Sequence, residues 1–283
     1  MRERSPLRVL WALCVSALAF SFCTLPSAAQ SQTAYLGFDR NQYPGDAAMK
    51  LLRKDFAFTG YWLGAPPGEK ANSWSGKREY VRSLGYGFLL LINGRDSREL
   101  KTRDDATAKG TADAKAASDS ARREHFSPGA IIFVDIEEGG RLTTNYHSYL
   151  RAWAEELRRD GFDPGVYCSA MPVEEGGDTI ISSSADLHSD PFLPKLTYWV
   201  YNDACPPSSG CSVTSQPLAP SGSGAKYAEV WQFAQSPRRK QYTSRCAVKY
   251  AKDNNCYAPS DVAHQWFLDL NSATSPDPSG GAK

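Results

Sequence analysis

The sequence predicts a single α/β domain in which eight β-strands close into a TIM-type (β/α)8 barrel. Short apolar segments of strand length alternate with segments of helical periodicity, which is typical of parallel βαβ units. The chain also has the length of one such barrel once a leader is set aside. An open doubly wound sheet is the alternative. No Gly-x-Gly-x-x-Gly turn follows the first strand to support a dinucleotide-binding version of it.

Residues 1–29 have the composition of a secretory signal peptide. Three arginines precede an apolar segment at residues 9–25, and small residues ending at Ala29 supply a cleavage site. The apolar segment is close to the length that spans a bilayer, so an uncleaved anchor is the alternative. Pro26 and the small residues after it favour cleavage. We therefore expect a secreted or periplasmic protein with no membrane span in the mature chain.

Eight strands are predicted in order along the mature chain. Each is a short segment rich in apolar, β-branched or aromatic residues and bounded by turn-forming residues. They cover residues 35–39, 57–63, 87–92, 130–137, 165–169, 196–201, 228–233 and 265–269.

Helices are predicted between these strands at residues 46–53, 77–83, 104–125, 143–159 and 178–187. The third carries Ala106, Gly110, Ala114, Ala117 and Ala121 on one face, so we expect it to approach the sheet closely. The crossovers at 203–227 and 234–264 are rich in Pro, Ser, Gly and Cys, which predicts an irregular barrel on that side. Residues 30–275 form the predicted domain, and residues 276–283 a disordered tail.

The charge balance argues against a nucleic-acid partner. The chain has 32 lysine and arginine residues and 31 aspartate and glutamate residues, and the predicted leader contains three of the former and one of the latter. The mature chain therefore has 29 basic and 30 acidic side chains. No positive excess is available to bind phosphates, and we expect a monomer without a nucleic-acid partner.

Five cysteines remain after the leader is removed. In an oxidising compartment, Cys205, Cys211, Cys246 and Cys256 are expected to form two disulfides. Three connectivities are possible, of which we favour the local pairs Cys205–Cys211 and Cys246–Cys256. Cys168 lies in an apolar strand and is expected to be a buried free thiol. The cysteine spacings do not match a zinc site and histidines are scarce, so no metal or cofactor is predicted.

Acidic side chains lie at the ends of three predicted strands, where barrel enzymes place their active sites. They are Asp39, the pair Asp135 and Glu137, and Asp269. Residues two apart on a strand face the same side, and crowded carboxyl groups raise one another's pKa. That arrangement supplies a protonated acid beside an ionised partner, as glycoside cleavage requires. An isolated Asp-x-Glu could instead cap a helix or pair with Arg141.

Aromatic and amide side chains near the same strand ends are candidate substrate-binding residues. Sugar rings stack on aromatic faces, and a cleft at a barrel mouth suits such binding. The aromatic residues could equally belong to the barrel core. The candidates are Tyr61, Trp62, Trp199, Tyr201, Asn202, Trp231, Gln232 and Asn271.

The order of several short motifs is similar to that in family 25 glycoside hydrolases, the lysozyme-type muramidases. The motifs are Gly37-Phe38-Asp39, Val134-Asp135-Ile136-Glu137, Gly165-Val166-Tyr167-Cys168-Ser169, Trp231-Gln232-Phe233 and Asp269-Leu270-Asn271. Residues 58–63 and 231–237 more closely resemble a bacterial group of glycoside hydrolase-like domains, the domain of unknown function 1906. The resemblance covers roughly residues 34–275.

The resemblance to the lysozymes implies a barrel that hydrolyses the β-1,4 bond after N-acetylmuramic acid in peptidoglycan without a metal. It implies that Glu137 is the general acid and that Asp135 orients the substrate's acetamido group or stabilises charge. Asp39 and Asp269 would line the same cleft. The chain departs from the lysozymes at Arg40, where a small residue usually follows the first-strand aspartate.

Three functions are compatible with these features. The first is an exported hydrolase of cell-wall glycan that uses carboxyl acid/base chemistry. The second is a catalytically inactive glycan-binding envelope protein, because a fold and its site can persist when activity is lost. The third is a purely structural envelope domain.

Overall fold

Eight strands close into a barrel in the computed structural model, as the sequence predicts. The structure describes residue 1, residues 34–177 and residues 179–283, so residues 2–29 of the predicted signal peptide lie outside the described residues. The order around the barrel is β1-β10-β9-β8-β5-β4-β3-β2. The barrel strands are β1 (Tyr35–Asp39), β2 (Phe58–Trp62), β3 (Gly87–Asn93), β4 (Ile131–Asp135), β5 (Asp163–Ser169), β8 (Thr197–Tyr201), β9 (Val230–Ala234) and β10 (Asp269–Ala273).

The eighth barrel strand runs against the other seven. β10 pairs antiparallel with both β1 and β9, and the remaining neighbours pair in parallel. The prediction of a last strand at residues 265–269 is therefore wrong, because the strand begins at Asp269 instead of ending there. The long crossover after β9 returns to the mouth of the barrel, and the chain enters β10 from that side. Asp269 still reaches the mouth, but at the start of its strand.

Five α-helices lie among the strands in the part of the chain that the structure describes, and two of them, α3 and α4, pack against each other. They are α1 (Asp46–Leu52), α2 (Arg78–Ser83), α3 (Arg103–Arg123), α4 (Thr144–Arg159) and α5 (Ser183–Ser189). Thr102 and Thr143 cap α3 and α4 by accepting backbone N–H bonds from Asp105 and Tyr146. A Cβ added at Gly110 would lie 2.2 Å from the carbonyl oxygen of Tyr149. At Gly110, then, the small-residue face of α3 approaches α4, whereas the sequence pattern predicts an approach to the sheet.

A short hairpin follows β5. Its strands, β6 (Val173–Glu175) and β7 (Thr179–Ile181), pair antiparallel ahead of α5. The predicted helix at residues 178–187 thus begins too early, because residues 179–181 belong to β7 and α5 begins at Ser183. Among the residues that the structure describes, no helix is long and apolar enough to cross a bilayer.

Residues 276–283 are ordered, contrary to the prediction of a disordered tail. The backbone N–H of Phe88 donates to the Asp277 carboxylate over 2.9 Å, and that of Leu90 donates to the Ser279 hydroxyl over 2.9 Å. The Ser279 carbonyl accepts from the backbone N–H of Ile131. The polar tail residues thus satisfy backbone groups of β3 and β4 near the start of these strands, which composition alone does not reveal.

The disulfides link the two irregular crossovers to each other. Cys205 pairs with Cys246 and Cys211 pairs with Cys256, with Cα–Cα distances of 5.8 and 5.2 Å. The predicted local pairs are therefore wrong, although the four participating cysteines are as predicted. The crossovers after β8 and β9 pack side by side, so each cysteine of one meets a cysteine of the other. Cys168 is a buried free thiol.

Candidate active site

Four carboxyl groups converge at the mouth of the barrel. Asp39 ends β1, Asp135 ends β4, Glu137 lies two residues beyond Asp135, and Asp269 begins β10 directly opposite Asp39 in the strand register. All four line a cavity of about 190 Å³. The structure therefore brings together every acidic residue that the strand-end pattern singles out.

Asp39 is buried and held by two amide side chains. Its Oδ1 accepts hydrogen bonds from Gln232 Nε2 over 2.9 Å and from Asn271 Nδ2 over 2.6 Å. Burial raises the pKa of Asp39 to about 6, the two hydrogen bonds oppose that rise, and the charge of Glu137 adds to it. The carboxyl group therefore ionises close to neutrality.

Asp135 and Glu137 form a pair of carboxyl groups that influence each other's pKa. Burial raises the pKa of Asp135 well above its usual range, and the charges of Glu137 and Asp39 raise it further. Desolvation in the crowded mouth also raises the pKa of Glu137, whereas its hydrogen bond with Asp135 and the charge of Arg239 lower it. The pair therefore retains a shared proton at pH values where isolated carboxyl groups have lost theirs.

The two members of this pair differ in accessibility. Asp135 is only 5% exposed, and its Oδ1 has no hydrogen-bond partner among the described residues. Glu137 lies beyond the end of β4, lines the cavity and is exposed to solvent. A substrate entering from the mouth therefore meets Glu137 first and has Asp135 beneath it.

Asp269 closes the opposite side of the cavity. Its Oδ1 accepts the backbone N–H of Ser236 over 2.6 Å. Burial raises its pKa well above the usual range, and the charge of Asp39 contributes to the rise. Asp269 is thus, like Asp135, a carboxyl group whose burial favours the neutral form.

A hydrogen-bonded floor supports the carboxyl groups from inside the barrel. Trp199 Nε1 donates to Asn271 Oδ1 over 2.9 Å, and the Tyr167 hydroxyl donates to Gln232 Oε1 over 2.8 Å. The same Asn271 and Gln232 side chains donate to Asp39. This network fixes both amides so that their N–H groups point at the carboxylate.

The predicted substrate-binding residues fall into two groups. Trp62, Trp199 and Gln232 line the cavity, and the Tyr201 hydroxyl lies 3.4 Å from the Glu137 carbonyl oxygen. Asn271 is fully buried beneath the cavity, where it supports Asp39.

The other three lie away from the cavity. Tyr61 packs against Trp74, Phe88 and Phe126, and its hydroxyl donates to Glu124 over 2.7 Å. Trp231 Nε1 donates to the Asn202 carbonyl oxygen, and Asn202 Nδ2 donates to the Ser223 carbonyl oxygen. These residues stabilise the fold outside the carboxyl cluster, so the structure does not place them for substrate contact.

Several residues at the mouth are not among those that the sequence pattern predicts. Tyr167 and Gln235 both line the cavity, and Gln235 Nε2 donates to Gln232 Oε1 over 2.8 Å. Tyr167 lies beside Asp135 and Trp199 in the strand register, so its neighbourhood could have been inferred once the strands were paired. Arg239 lies over the Tyr201 ring at 5.2 Å and forms an ion pair with Asp203. Its position depends on the irregular crossover, which carries no periodic signal.

The chemistry available at this mouth is proton transfer. An exposed carboxyl group, a buried partner that shares its proton and further carboxyl groups with raised pKa values match the requirements of general acid catalysis. Within residues 34–177 and 179–283, no group of three or more His, Cys, Asp or Glu side chains is arranged to hold a metal ion.

Comparisons with solved structures identify proteins of the same fold. The Tat-secreted protein Rv2525c of Mycobacterium tuberculosis matches with a TM-score of 0.52 and 13% identity, over 89% of this chain and 100% of that one. The catalytic domain of endolysin ply40 from Listeria monocytogenes bacteriophage P40 matches with a TM-score of 0.52 and 12% identity, over 89% and 98% of the two chains. The glycosyl hydrolase 25 GHIP of Streptococcus pneumoniae matches with a TM-score of 0.50 and 9% identity, over 84% and 86%.

The family assignment rests on the sequence itself. No curated protein matches the chain significantly. The family described as "Rv2525c-like, glycoside hydrolase-like domain" matches residues 76–257, which is more than half of the chain and includes Asp135 and Glu137. The chain therefore belongs to the Rv2525c-like family of glycoside hydrolase-like domains.

Proposed function

We propose that this protein is an exported hydrolase that cleaves peptidoglycan-type glycan by acid/base chemistry at Glu137 and Asp135. The observation that carries the proposal is the convergence of four carboxyl groups from separate strands on one cavity, with Glu137 at its accessible side. Cleavage of a glycosidic bond needs an acid that protonates the leaving oxygen and a second carboxyl group that stabilises the opposite face.

Glu137 is the proposed general acid, because it is the member of the pair that a glycan can reach from solvent. Asp135 is the proposed partner that orients the substrate. Its free Oδ1 is available to accept the N–H of an acetamido group, and such a bond would favour ionised Asp135. The shared proton would then reside on Glu137, where the leaving oxygen can take it. Substrate binding would thus place the proton on the catalytic acid.

The structural neighbours support a cell-wall substrate. They include an endolysin catalytic domain, a glycosyl hydrolase 25 and the spore cortex lytic enzyme SleM of Clostridium perfringens. Export is supported by the two disulfides, since such bonds persist in oxidising compartments, and by the Tat-secreted neighbour Rv2525c.

One observation favours a second candidate, a catalytically inactive glycan-binding protein. Burial raises the pKa of both carboxyl groups, and the interaction between them raises that of Asp135 further and opposes the rise at Glu137, which favours a proton on the buried acid before substrate binds. If a bound glycan did not shift that proton, the site would bind sugar without cleaving it. This candidate predicts that Glu137→Gln leaves wall binding intact and that Trp62→Ala weakens it.

A turbidity assay on purified cell walls tests the proposed hydrolase. We expect wild-type protein to clear the suspension and Glu137→Gln to lose activity by about 10²–10⁴-fold, the usual contribution of a general acid. Glu155→Gln is the matched control, because Glu155 is exposed on α4 and its side chain contacts no described hydrogen-bond partner. Wall binding without clearing by the folded wild-type protein would support the second candidate and contradict the first.

A further inference from the structure

A second cavity adjoins the carboxyl cavity at the mouth. Its volume is about 410 Å³, and it shares Asn41 and Asp269 with the smaller cavity. The remaining lining residues are Arg40, Gln42, Glu69, Ser236 and Phe267. The two cavities therefore form one cleft, with the carboxyl cluster at one end and a cation at the other. The larger cavity alone is within the size range of small-molecule sites.

The guanidinium group of Arg40 is partly buried and forms no salt bridge with a described residue. Its Nε and Nη1 atoms are buried, and neither donates a hydrogen bond to any residue that the structure describes. The guanidinium group lies over the Phe267 ring, with Cζ 5.2 Å from the ring centroid. The backbone carbonyl of Arg40 accepts a hydrogen bond from Trp74 Nε1. Buried charged donors without acceptors are unfavourable and are uncommon in proteins unless a ligand completes them.

The acidic residues around Arg40 make their hydrogen bonds with other groups. Glu69 accepts a hydrogen bond from Gln42 Nε2 over 3.0 Å. Asp269 accepts from the Ser236 backbone, and burial keeps its pKa well above the usual range, which favours the neutral acid. Neither forms a salt bridge with Arg40. Burial lowers the pKa of Arg40 and the charge of Asp269 raises it, so Asp269 acts on the arginine only at a distance and leaves its buried Nε and Nη1 donors without an acceptor among the described residues.

We propose that the Arg40 cavity binds the carboxylate of an acidic sugar, so that the glycan held in the cleft carries a free carboxyl group. This inference rests on the proposed glycan-binding function and narrows its substrate class. The guanidinium supplies charge-assisted hydrogen bonds to the carboxylate. Phe267, which is 45% exposed, supplies an apolar face for the sugar ring. The carboxylate could belong to a lactyl ether on an amino sugar or to the ring of a uronic acid.

Calorimetric binding to the full mature protein carrying Glu137→Gln tests this proposal without turnover. The probes are a peptide-free muramyl tetrasaccharide with free lactyl carboxylates, the same compound with those carboxyls amidated, and a tetramer of galacturonic acid. We expect at least one carboxylate probe to bind about tenfold more tightly than the amidated compound, as expected of one charge-assisted contact. The probe that binds identifies the lactyl or the uronate source.

Three arginine variants show which residue provides the preference. Arg40→Gln should abolish it and leave binding of the amidated compound unchanged, whereas Arg40→Lys should retain part of it. Arg98→Gln is the matched control, because the Arg98 side chain is 89% exposed and should not affect either affinity. Equal affinity of the cleft with Arg40 intact for charged and amidated probes, an equal loss of both in Arg40→Gln, or no binding of any probe would each overturn the proposal.

The result is separable from that of the wall-clearing assay. Clearing of walls without a carboxylate preference would refute the Arg40 proposal alone. A carboxylate preference without clearing would support it and refute only the hydrolase.

Discussion

Asp39→Asn should stabilise the protein at neutral pH, although it changes a buried, hydrogen-bonded side chain of nearly the same volume. Both hydrogen bonds to Asp39 end on Oδ1, which asparagine also has, so Gln232 and Asn271 keep their acceptor. What the substitution removes is a buried carboxyl group whose pKa is raised from 3.8 to about 6. Such a rise is worth about 3 kcal/mol, because each unit of pKa difference corresponds to about 1.4 kcal/mol.

The stabilisation by Asp39→Asn depends on pH. The folded protein binds the Asp39 proton more tightly than the unfolded chain, so this residue's contribution to stability is complete below the unfolded pKa of 3.8. It is lost as the pH rises through the folded value of about 6. Asparagine does not ionise. The variant should therefore match the wild type near pH 4 and exceed it by about 3 kcal/mol near pH 8, equivalent to roughly 6–12 °C in Tm.

Urea unfolding followed by tryptophan fluorescence, from about pH 4 to about pH 8, measures this difference. Asp163→Asn is the matched control, because Asp163 is exposed at the start of β5 and its side chain makes no hydrogen bond with a described residue. Its stability relative to wild type should be nearly independent of pH. A difference for Asp39→Asn that is constant with pH, or that decreases as the pH rises, would refute the assignment of Asp39 as a buried, proton-retaining acid.

Two further substitutions test the interior of the barrel and the helical layer. Asn271→Leu leaves Trp199 Nε1 without an acceptor and removes one donor from Asp39, so urea unfolding should show a loss of about 2–4 kcal/mol. Because the Asn271 hydrogen bond lowers the pKa of Asp39, the pH at which Asp39 ionises should also rise, and an unchanged pH profile would contradict this. Gly110→Ala should lower the free energy of unfolding by about 1–3 kcal/mol, since the new Cβ would meet the Tyr149 carbonyl oxygen at 2.2 Å. Equal or greater stability of that variant would show that α3 and α4 can separate at little cost.

The parallel strands and their acidic ends could be predicted from the sequence because both follow from local pattern. β1 is predicted with its observed bounds, and the ends of β1 and β4 place Asp39 and Asp135 at the mouth without knowledge of any contact. The position of Glu137 at the mouth then follows, because it lies only two residues beyond Asp135.

Which aromatic side chains face the cavity could not be predicted in the same way. Barrel strands are buried on both sides, so their sequences lack the alternation of apolar and polar residues that identifies an inner face. Tyr61 and Trp62 are adjacent in β2 and both buried, yet only Trp62 lines the cavity. Trp199 and Trp231 are likewise both buried, yet only Trp199 lines the cavity. Strand alternation assigns neighbours to opposite faces but does not say which face is inside.

The disulfide pairing and the course of the tail depend on contacts between distant segments. Cys205 and Cys246 are 41 residues apart, and Cys211 and Cys256 are 45 residues apart. Their partners are set by how two irregular crossovers pack, for which the sequence has no periodic signal. The tail is similarly polar in composition, but its Asp277 and Ser279 side chains accept backbone N–H groups that belong to β3. Amino-acid composition indicates the average polarity of a segment and does not identify side chains that accept particular backbone N–H groups.

The reversed direction of β10 explains how the two ends of the cleft come to share a wall. Because β10 starts at the mouth, Asp269 lies opposite Asp39, and the residues that flank them outside the strands, Phe267 and Arg40, meet beyond the pair. A parallel strand ending at Asp269 would have placed Phe267 inside the strand and left Arg40 without its aromatic neighbour. The same antiparallel pairing also lets Asn271, two residues further into the barrel, reach back to Asp39 from below. One strand reversal therefore supplies a carboxyl group to the proposed catalytic cavity, an amide to its floor and an aromatic ring to the proposed carboxylate site.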